Sequence, residues 1–276
     1  MKKVDKSRIA ENRKTRLALR ILTYVISSLI VALFILAFVP GLKYWSWEFF
    51  TQFPKERMTG GGIFPAILGS ILLTVTSLAI AIPLGVLLGI VLSEYNLTYI
   101  KFAVTILSGI PSVVYGLFGL GLFCITMNMR TSILAGALTL SLMVLPVISS
   151  SVYEVMQAIP RELREAAYAL GARKSEVIFE MLVPSVRNSI LTVSFVSAGR
   201  VIGETAPLIL TAAVFYATQL PKSLLSPVMT MPTHIYFLTA AYGSSARWMA
   251  EGTTSVLILF IILVYTIAFM FRREKK

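Results

Sequence analysis

Two charged residues lie within an apolar stretch of the chain. Residues 199–210 read GRVIGETAPLIL, and Arg200 and Glu204 have apolar residues on both sides. A charged side chain at the centre of a bilayer costs about 3 kcal/mol, and such residues usually face the bundle interior or a water-filled cavity. Arginine also binds phosphate oxygens bidentately. The pattern predicts a path for an anion, with purely structural pairing of the two charges as the alternative.

The spacing of Arg200 and Glu204 suggests a separate role for each residue. Four residues separate Arg200 from Glu204, so both are expected on one helical face. Because the arginine comes first, an intrahelical pair has the less favourable order relative to the helix dipole and should be weak. We expect Arg200 to attract the anion. We expect Glu204 to position and partly neutralise Arg200, or to pair with an arginine of a partner subunit, so that the anion is released. Thr205 is expected to donate a hydroxyl, and Pro207 to bend the helix.

The helices that must hold these residues are apolar enough for a membrane. Hydrophobic residues make up 57% of the 276 residues and charged residues 14%, which would be unusual for a soluble domain. The composition predicts an all-α integral membrane protein with six transmembrane helices, each able to cross about 30 Å of hydrocarbon. The six expected spans are residues 21–39, 63–93, 102–127, 132–152, 190–215 and 253–271. Pro65 and Pro83 predict a short interfacial helix before the second span proper.

The placement of the charges predicts the orientation. The net charge is +12, but the basic residues cluster in an arm at residues 1–20 and at the C-terminus, a pattern that favours membrane topology over nucleic-acid binding. Placing both termini in the cytoplasm leaves about three basic residues inside for each one outside, as the positive-inside rule requires. We therefore expect a multi-pass protein of the cell membrane, surrounded by lipid, with the sequon at Asn96 facing the cytoplasm. The expected divisions are the arm at 1–20, the first helix at 21–39 and a five-helix core at 63–271.

Glycine and proline recur inside the expected spans. Close helix packing through small residues and a kinked, gated path are both compatible with this pattern. The residues with a predicted role in gating or packing are Gly199, Gly203, Pro207, Pro111 and Tyr115.

The longest expected cytoplasmic loop, residues 154–185, has the features of two short helices. Pro160 suits the start of the first helix, and Gly171 suits its C-terminal cap. The second helix is expected to start with Ser175 as N-cap, run to Val183 and end at Pro184. An apolar stripe is expected on the first helix, formed by Ile159, Leu163, Ala166, Ala167 and Leu170.

This loop resembles the EAA loop of permease subunits from ABC importers. The matching positions are Glu165, Ala166, Ala167, Gly171 and Pro184. The resemblance implies that the helix pair docks into a groove of a separate ATPase subunit. Arg161, Arg164 and Glu165 would add polar contacts at the rim of that groove. The alternative is an amphipathic helix that rests on the membrane.

The apolar stretches carry a second resemblance. GRVIGETAPLIL, residues 60–95 and residues 108–123 are similar to the phosphate importer permeases of the PstA type, so the likeness covers most of residues 60–271. It implies the type I importer (MetI-like) transmembrane fold and a permease subunit of an ATP-driven phosphate importer. The implied partners are two copies of an ATP-binding subunit, a related PstC-like permease and an external phosphate-binding protein. The alternatives are another oxyanion (molybdate, sulfate or phosphonate), or an autonomous secondary transporter or channel.

Motifs for catalysis are missing from the sequence. It has no G-x-x-x-x-G-K-[ST] phosphate loop, no H-E-x-x-H and no nucleophile elbow. We therefore expect no enzyme activity, no cofactor and no metal, with ATP hydrolysed by a partner. His234 is the one histidine and is expected to be a surface or interface residue.

Overall fold

The computed structural model describes residues 6–95 and 97–273, so the sequon at Asn96 lies outside the described residues. The elements in chain order are α1 (Lys6–Leu42), α2 (Trp47–Thr51), β1 (Pro54–Lys55), β2 (Gly60–Gly61), α3 (Phe64–Glu94), α4 (Thr98–Ser108), α5 (Ser112–Gly119), α6 (Ile133–Gln157), α7 (Arg161–Ala169), α8 (Lys174–Glu176), α9 (Val183–Gly203), α10 (Ala206–Thr211), α11 (Met231–Ala241) and α12 (Arg247–Arg273). The two strands form a short antiparallel ribbon. The all-α class predicted from the sequence is confirmed.

Five helical segments of the described chain are long and apolar enough to cross a membrane, and a bent pair of helices brings the number to six. The expected span at 132–152 corresponds to α6 with its N-cap Ser132, and the span at 253–271 lies within α12. The span at 21–39 lies within α1, which already begins at Lys6. The described part of the basic arm is thus continuous with the first transmembrane helix.

The second span is one helix rather than the predicted short interfacial helix followed by a span. Pro65 lies in the first turn of α3, where its missing N–H breaks no helical bond. Pro83 lies inside the same helix, which continues to Glu94. Proline is tolerated within membrane helices because neighbouring groups satisfy the carbonyl that it leaves free.

The expected span at 102–127 is wrong as a single straight helix. α4 and α5, with the π-helical turn at Leu120–Thr126 that extends α5, meet at an angle of 102°. Pro111 lies at the corner and cannot donate a helical hydrogen bond to the carbonyl of Leu107. The hydroxyl of Tyr115 donates to that carbonyl instead, at 2.8 Å. Pro111 and Tyr115 therefore form and stabilise a corner.

The expected span at 190–215 also ends early. α9 stops at Gly203, and the chain turns before the short helix α10 begins at Ala206. Continuing α9 would require Pro207 to donate to the carbonyl of Gly203, and proline has no N–H. Pro207 instead occupies the first turn of α10.

The interior of the bundle lies where α3, α6 and α9 pack together. α3 and α6 approach closely at Gly85 and Gly89, where an added Cβ would lie 2.8 Å from Ile148 and 2.6 Å from Val152. The hydroxyl of Ser141 joins the same two helices by donating to the carbonyl of Ser77 at 2.8 Å. These contacts are typical of membrane helices that pack through small residues.

A second apolar cluster joins α2, α11 and the first half of α12. Its fully buried members include Phe49, Met231 and Met249. Trp45 ties the end of α1 to this cluster, since its indole N–H donates to Ser255 in α12 at 2.8 Å. From residue 15 onward α1 is exposed along most of its length, and it packs mainly on α12.

Candidate functional site

The two intramembrane charges form a loose pair. Nε of Arg200 lies 3.7 Å from Oε1 of Glu204, which is an ion-pair contact but too long for a hydrogen bond. The side chain of Arg200 is 42% exposed and that of Glu204 is 16% exposed. The guanidinium of Arg200 donates no hydrogen bond to another described residue.

The helix end explains this geometry. The expectation that both charges share one continuous helical face is wrong, because Glu204 follows the end of α9 in an extended conformation. Arg200 lies in the last turn, where the helix dipole favours a cation. Thr205 precedes α10, and its carbonyl accepts from the N–H groups of Leu208 and Ile209 at 3.1 Å. Its side chain makes no capping hydrogen bond.

The other residues predicted around the pair are packing contacts. An added Cβ on Gly199 would lie 2.9 Å from the ring of Tyr265 in α12, and one on Gly203 would lie 3.9 Å from Ile261. An added Cβ on Gly116 in α5 would lie 2.7 Å from Cα of Pro207, so these two residues are also in close contact. The structure thus brings the corner at Pro111 and Tyr115 next to the end of α9.

A polar groove lies on the side of the Arg200–Glu204 pair that faces the loop at 154–185, and it was not predicted from the sequence. It lies between α6 and α9, has a volume of about 630 Å³ and includes the polar side chains of Ser151, Glu154, Asn188, Ser189 and Thr192. Ser189 precedes Arg200 by three helical turns and lies on the same face of α9. The signal was the recurrence of small polar residues at helical spacing, which an apolar average over the span conceals.

The loop at 154–185 forms the first of its two expected helices. α7 covers Arg161–Ala169 and has no buried residue. Gly171 follows with φ of +88°, and its N–H donates to the carbonyl of Tyr168 at 3.0 Å. The predicted C-terminal cap at Gly171 is therefore confirmed, because a residue with a Cβ would be strained in this left-handed conformation.

The second helix of the loop differs from the prediction. It begins at Lys174, and the side chain of Glu176 accepts from the N–H of Arg173 at 2.7 Å. It then runs through a π-helical turn at Val177–Leu182 directly into α9. Pro184 lies in the first turn of α9 and does not end the helix. The π-helical turn shifts the hydrogen-bond register where the missing N–H of proline would otherwise break it.

The three polar residues expected at the rim of an ATPase groove all line one shallow cavity but differ in exposure. Arg164 faces inward and forms an ion pair with Glu94 at the end of α3. Arg161 and Glu165 are exposed and line a shallow cavity of about 310 Å³ with Gln157. The contact of Arg164 with the rim of an ATPase groove stays a prediction.

The apolar stripe of α7 divides into two faces. Ile159 and Ala167 pack partly against the interior of the bundle. Leu163 and Leu170 are exposed, Leu170 to 90%. Ala166, the remaining residue of the stripe, is exposed as well. The loop thus presents leucine side chains to its surroundings at the end of the molecule opposite Arg200.

His234 is not the surface residue that the sequence suggested. It is fully buried in α11, where Nδ1 lies 3.2 Å from the hydroxyl of Thr253. Nε2 has no hydrogen-bond partner among the described residues. Burial lowers the pKa of His234 to about 3, so the ring is neutral in the folded protein.

The sequence from residue 81 to residue 274 matches the family described as the binding-protein-dependent transport system inner membrane component. The match covers well over half of the chain and includes the loop at 154–185 and both charges. The chain belongs to this family.

Curated relatives of this permease family extend the likeness. This chain is 30% identical over 261 residues to the probable ABC transporter permease protein YqgI of Bacillus subtilis, and the match covers 88% of each chain. It is 32% identical over 217 residues to the probable phosphate transport system permease protein PstA of Methanocaldococcus jannaschii, which covers 77% of this chain and 76% of the relative. The sequence resemblance to PstA-type permeases is confirmed.

Solved structures of ABC transporters share the fold. A chain of a bacterial alginate ABC transporter in complex with an alginate-bound periplasmic protein superposes with a TM-score of 0.68 at 18% identity, over 95% of this chain and 96% of that one. A chain of the MetNI methionine ABC transporter in an inward-facing conformation gives 0.58 at 15% identity, over 78% and 95%. The predicted MetI-like importer permease fold is therefore confirmed.

Membership of this family establishes the general function of the chain. The protein is a permease subunit of an ABC importer, a multi-pass inner-membrane component of a transport system, and subunits of this kind are not enzymes themselves. The solved relatives belong to importers of methionine and of a polysaccharide. The fold alone therefore does not determine what is transported, and the substrate must be argued from the site.

Proposed function

We propose that this permease subunit forms half of the pathway by which an ATP-driven importer carries inorganic phosphate across the cell membrane. The observation that carries the proposal is the half-exposed guanidinium of Arg200, which is paired loosely with Glu204 and makes no hydrogen bond within the described chain. Phosphate offers several acceptor oxygens that match its planar fork. The PstA-named relatives support the same substrate.

Glu204 and the groove account for release. A path must attract its ion without holding it. The carboxylate of Glu204, 3.7 Å from Arg200, offsets part of the positive charge and keeps the guanidinium in place. The hydroxyl of Thr205 is a further donor next to the pair. From Arg200 the anion would move along the face of α9 towards Thr192 and Ser189 in the polar groove.

The position of the loop supports the proposed partners. Leu163 and Leu170 lie exposed on α7, as expected for a helix that docks into the groove of an ATP-binding subunit. The complete importer would contain two such subunits, this chain, a related PstC-like permease and an external phosphate-binding protein. Both termini and α7 would then face the cytoplasm, and the end of α9 with Arg200 would lie towards the outside.

The proposal is tested by substrate-stimulated ATP hydrolysis of the reconstituted importer. Phosphate-loaded binding protein should stimulate hydrolysis, whereas sulfate and molybdate at the same concentration should not. Equal stimulation by all three anions would mean a general oxyanion importer. Stimulation by sulfate or molybdate alone would contradict the proposed substrate.

A further inference from the structure

One guanidinium connects the cytoplasmic ends of three helices. Nη1 of Arg164, in α7, lies 2.5 Å from Oε1 of Glu94, the last residue of α3. Nη2 of the same side chain donates to the carbonyl of Met156 in the last turn of α6, at 2.7 Å. Within the described part of the chain this is the least exposed ion pair, with Glu94 at 6% and Arg164 at 17%.

A second set of contacts joins the part of the loop after Gly171 to the end of α3. Nζ of Lys174, beyond the turn at Gly171, lies 3.4 Å from the carbonyl of Glu94 and 3.8 Å from the ring centre of Tyr95. The amide of Gln157 donates to the carbonyl of Ser93 at 3.0 Å. Both limbs of the loop are therefore attached to residues 93–95, at the end of α3.

α7 has few other attachments to the bundle. None of its residues is buried, and its apolar contact with the interior is made by Ala167, with Ile159 and Ala172 on either side. The polar contacts of Arg164 thus determine where α7 lies relative to α3 and α6.

The chemistry of this contact favours positioning over stability. A buried ion pair contributes little net stability compared with apolar residues of similar size, because both charges must be desolvated. It does impose one geometry, since a bidentate guanidinium satisfies its partners in few orientations. α3 and α6 are in close contact at Gly85 and Gly89, so a displacement delivered at Glu94 and Met156 moves them together.

We propose that the Glu94–Arg164 pair transmits the movement of the ATP-binding subunit to the transmembrane helices. The exposed leucines of α7 would receive the movement, and Arg164 would pass it inward to α3 and α6. Arg164 and Glu94 are thus positioning residues and touch neither ATP nor the transported anion. The inference rests on the proposed function, because it requires an ATP-binding subunit docked on α7.

The test is the amount of phosphate imported per ATP hydrolysed by the complete transporter in proteoliposomes. The variants are Glu94→Gln, Arg164→Gln and the charge-reversed double variant Glu94→Arg with Arg164→Glu. The matched control is Lys101→Gln, which removes a polar contact of 2.7 Å to Tyr153 near the same ends of the helices without touching α7.

We expect each single variant to keep hydrolysing ATP while its import per ATP falls about tenfold, a typical size for coupling between sites. Charge reversal should restore part of the ratio, and Lys101→Gln should keep it. Single variants with the wild-type ratio, or a double variant no better than the single ones, would overturn the inference. The double variant also decides the matter if the single variants fail to assemble. Wild-type vesicles that hydrolyse ATP but import no phosphate would instead contradict the proposed substrate.

Discussion

At the scale of single residues, the accessibility of Arg200 depends on where it lies in its helix. Its position in the last turn of α9 places the cation where the helix dipole favours it. Glu204 lies 3.7 Å from Arg200 although the chain leaves the helix at Gly203. The side chain of Arg200 is 42% exposed beside this break, so it is accessible to a ligand.

Replacing Arg200 should therefore impair transport more than assembly. Hydrogen bonds to charged groups contribute about 1.5–3 kcal/mol, so Arg200→Ala should slow phosphate uptake by about tenfold or more. Arg200→Lys should keep part of the rate, because the charge remains without the planar fork. The measurement is the initial rate of uptake at equal amounts of assembled transporter.

The matched control for Arg200 is Arg247→Ala. Arg247 forms a similar pair with Glu251 four residues later, at 2.8 Å, but lies on the exposed first turn of α12. Its loss should leave uptake unchanged, since exposed pairs contribute little. If Arg200→Ala transported phosphate as fast as Arg247→Ala, Arg200 would have no part in the path.

His234 predicts how stability responds to acid. The folded protein holds its pKa at about 3, below the ordinary value of 6.5, so the unfolded state binds more protons between these values. Stability should therefore fall as the pH drops below about 6.5, by roughly 2 kcal/mol at pH 5. Thermal unfolding in detergent at pH 7.5 and pH 5 measures this. His234→Gln should show a smaller shift, and an equal shift would assign the acid sensitivity to other groups.

At the scale of elements, the sequence predicted the helices better than their breaks. Long apolar runs made α1, α3, α6 and α12 predictable, because few other structures satisfy the backbone in lipid. Hydropathy does not report where a helix turns. The corner at Pro111 and the end of α9 both arise where proline cannot donate to a particular carbonyl, yet Pro83 interrupts nothing in α3. Neighbouring contacts decide between these outcomes, and one sequence does not reveal them.

The candidate site was predictable to a similar extent. Residue types identified Arg200 and Glu204, and the spacing of Glu165, Ala166 and Gly171 identified the loop. The partner of Arg164 was not predictable, because Glu94 lies far away in the sequence and meets it only through the packing of α3 against α6.

The turn at Gly171 tests the role of the loop. Gly171→Val places a β-branched residue at a φ of +88°, which strains the turn and moves α7 relative to α8. We expect less ATP-binding subunit to co-purify with this variant. Gly243→Val is the control, because Gly243 also has a positive φ, of +53°, and open space around it, but lies beside α11. Equal retention of the subunit in both variants would show that the loop does not dock it.

At the scale of the whole molecule, the loop and the charge pair lie at opposite ends of α9. Arg200 follows Pro184 by about 24 Å of helical rise, most of the thickness of a bilayer core. This separation suits an importer, in which a substrate enters on one side while ATP acts on the other.

The separation predicts the side from which each end can be labelled. In a Cys124→Ala background, a cysteine at Leu170 should react with a membrane-impermeant maleimide only from the cytoplasmic side. A cysteine at Trp47, also exposed, should react only from the outside. Labelling of both positions from one side would contradict the proposed orientation.

The central claim is that this chain serves an ATP-driven phosphate importer. The most direct measurement is uptake of radiolabelled phosphate by proteoliposomes that contain this chain, its partner permease, the ATP-binding subunits and the external binding protein. We predict uptake that requires ATP, that excess unlabelled phosphate abolishes and that excess sulfate or molybdate leaves intact. Uptake that persists without ATP, or that sulfate or molybdate suppresses as strongly as phosphate does, would contradict the account.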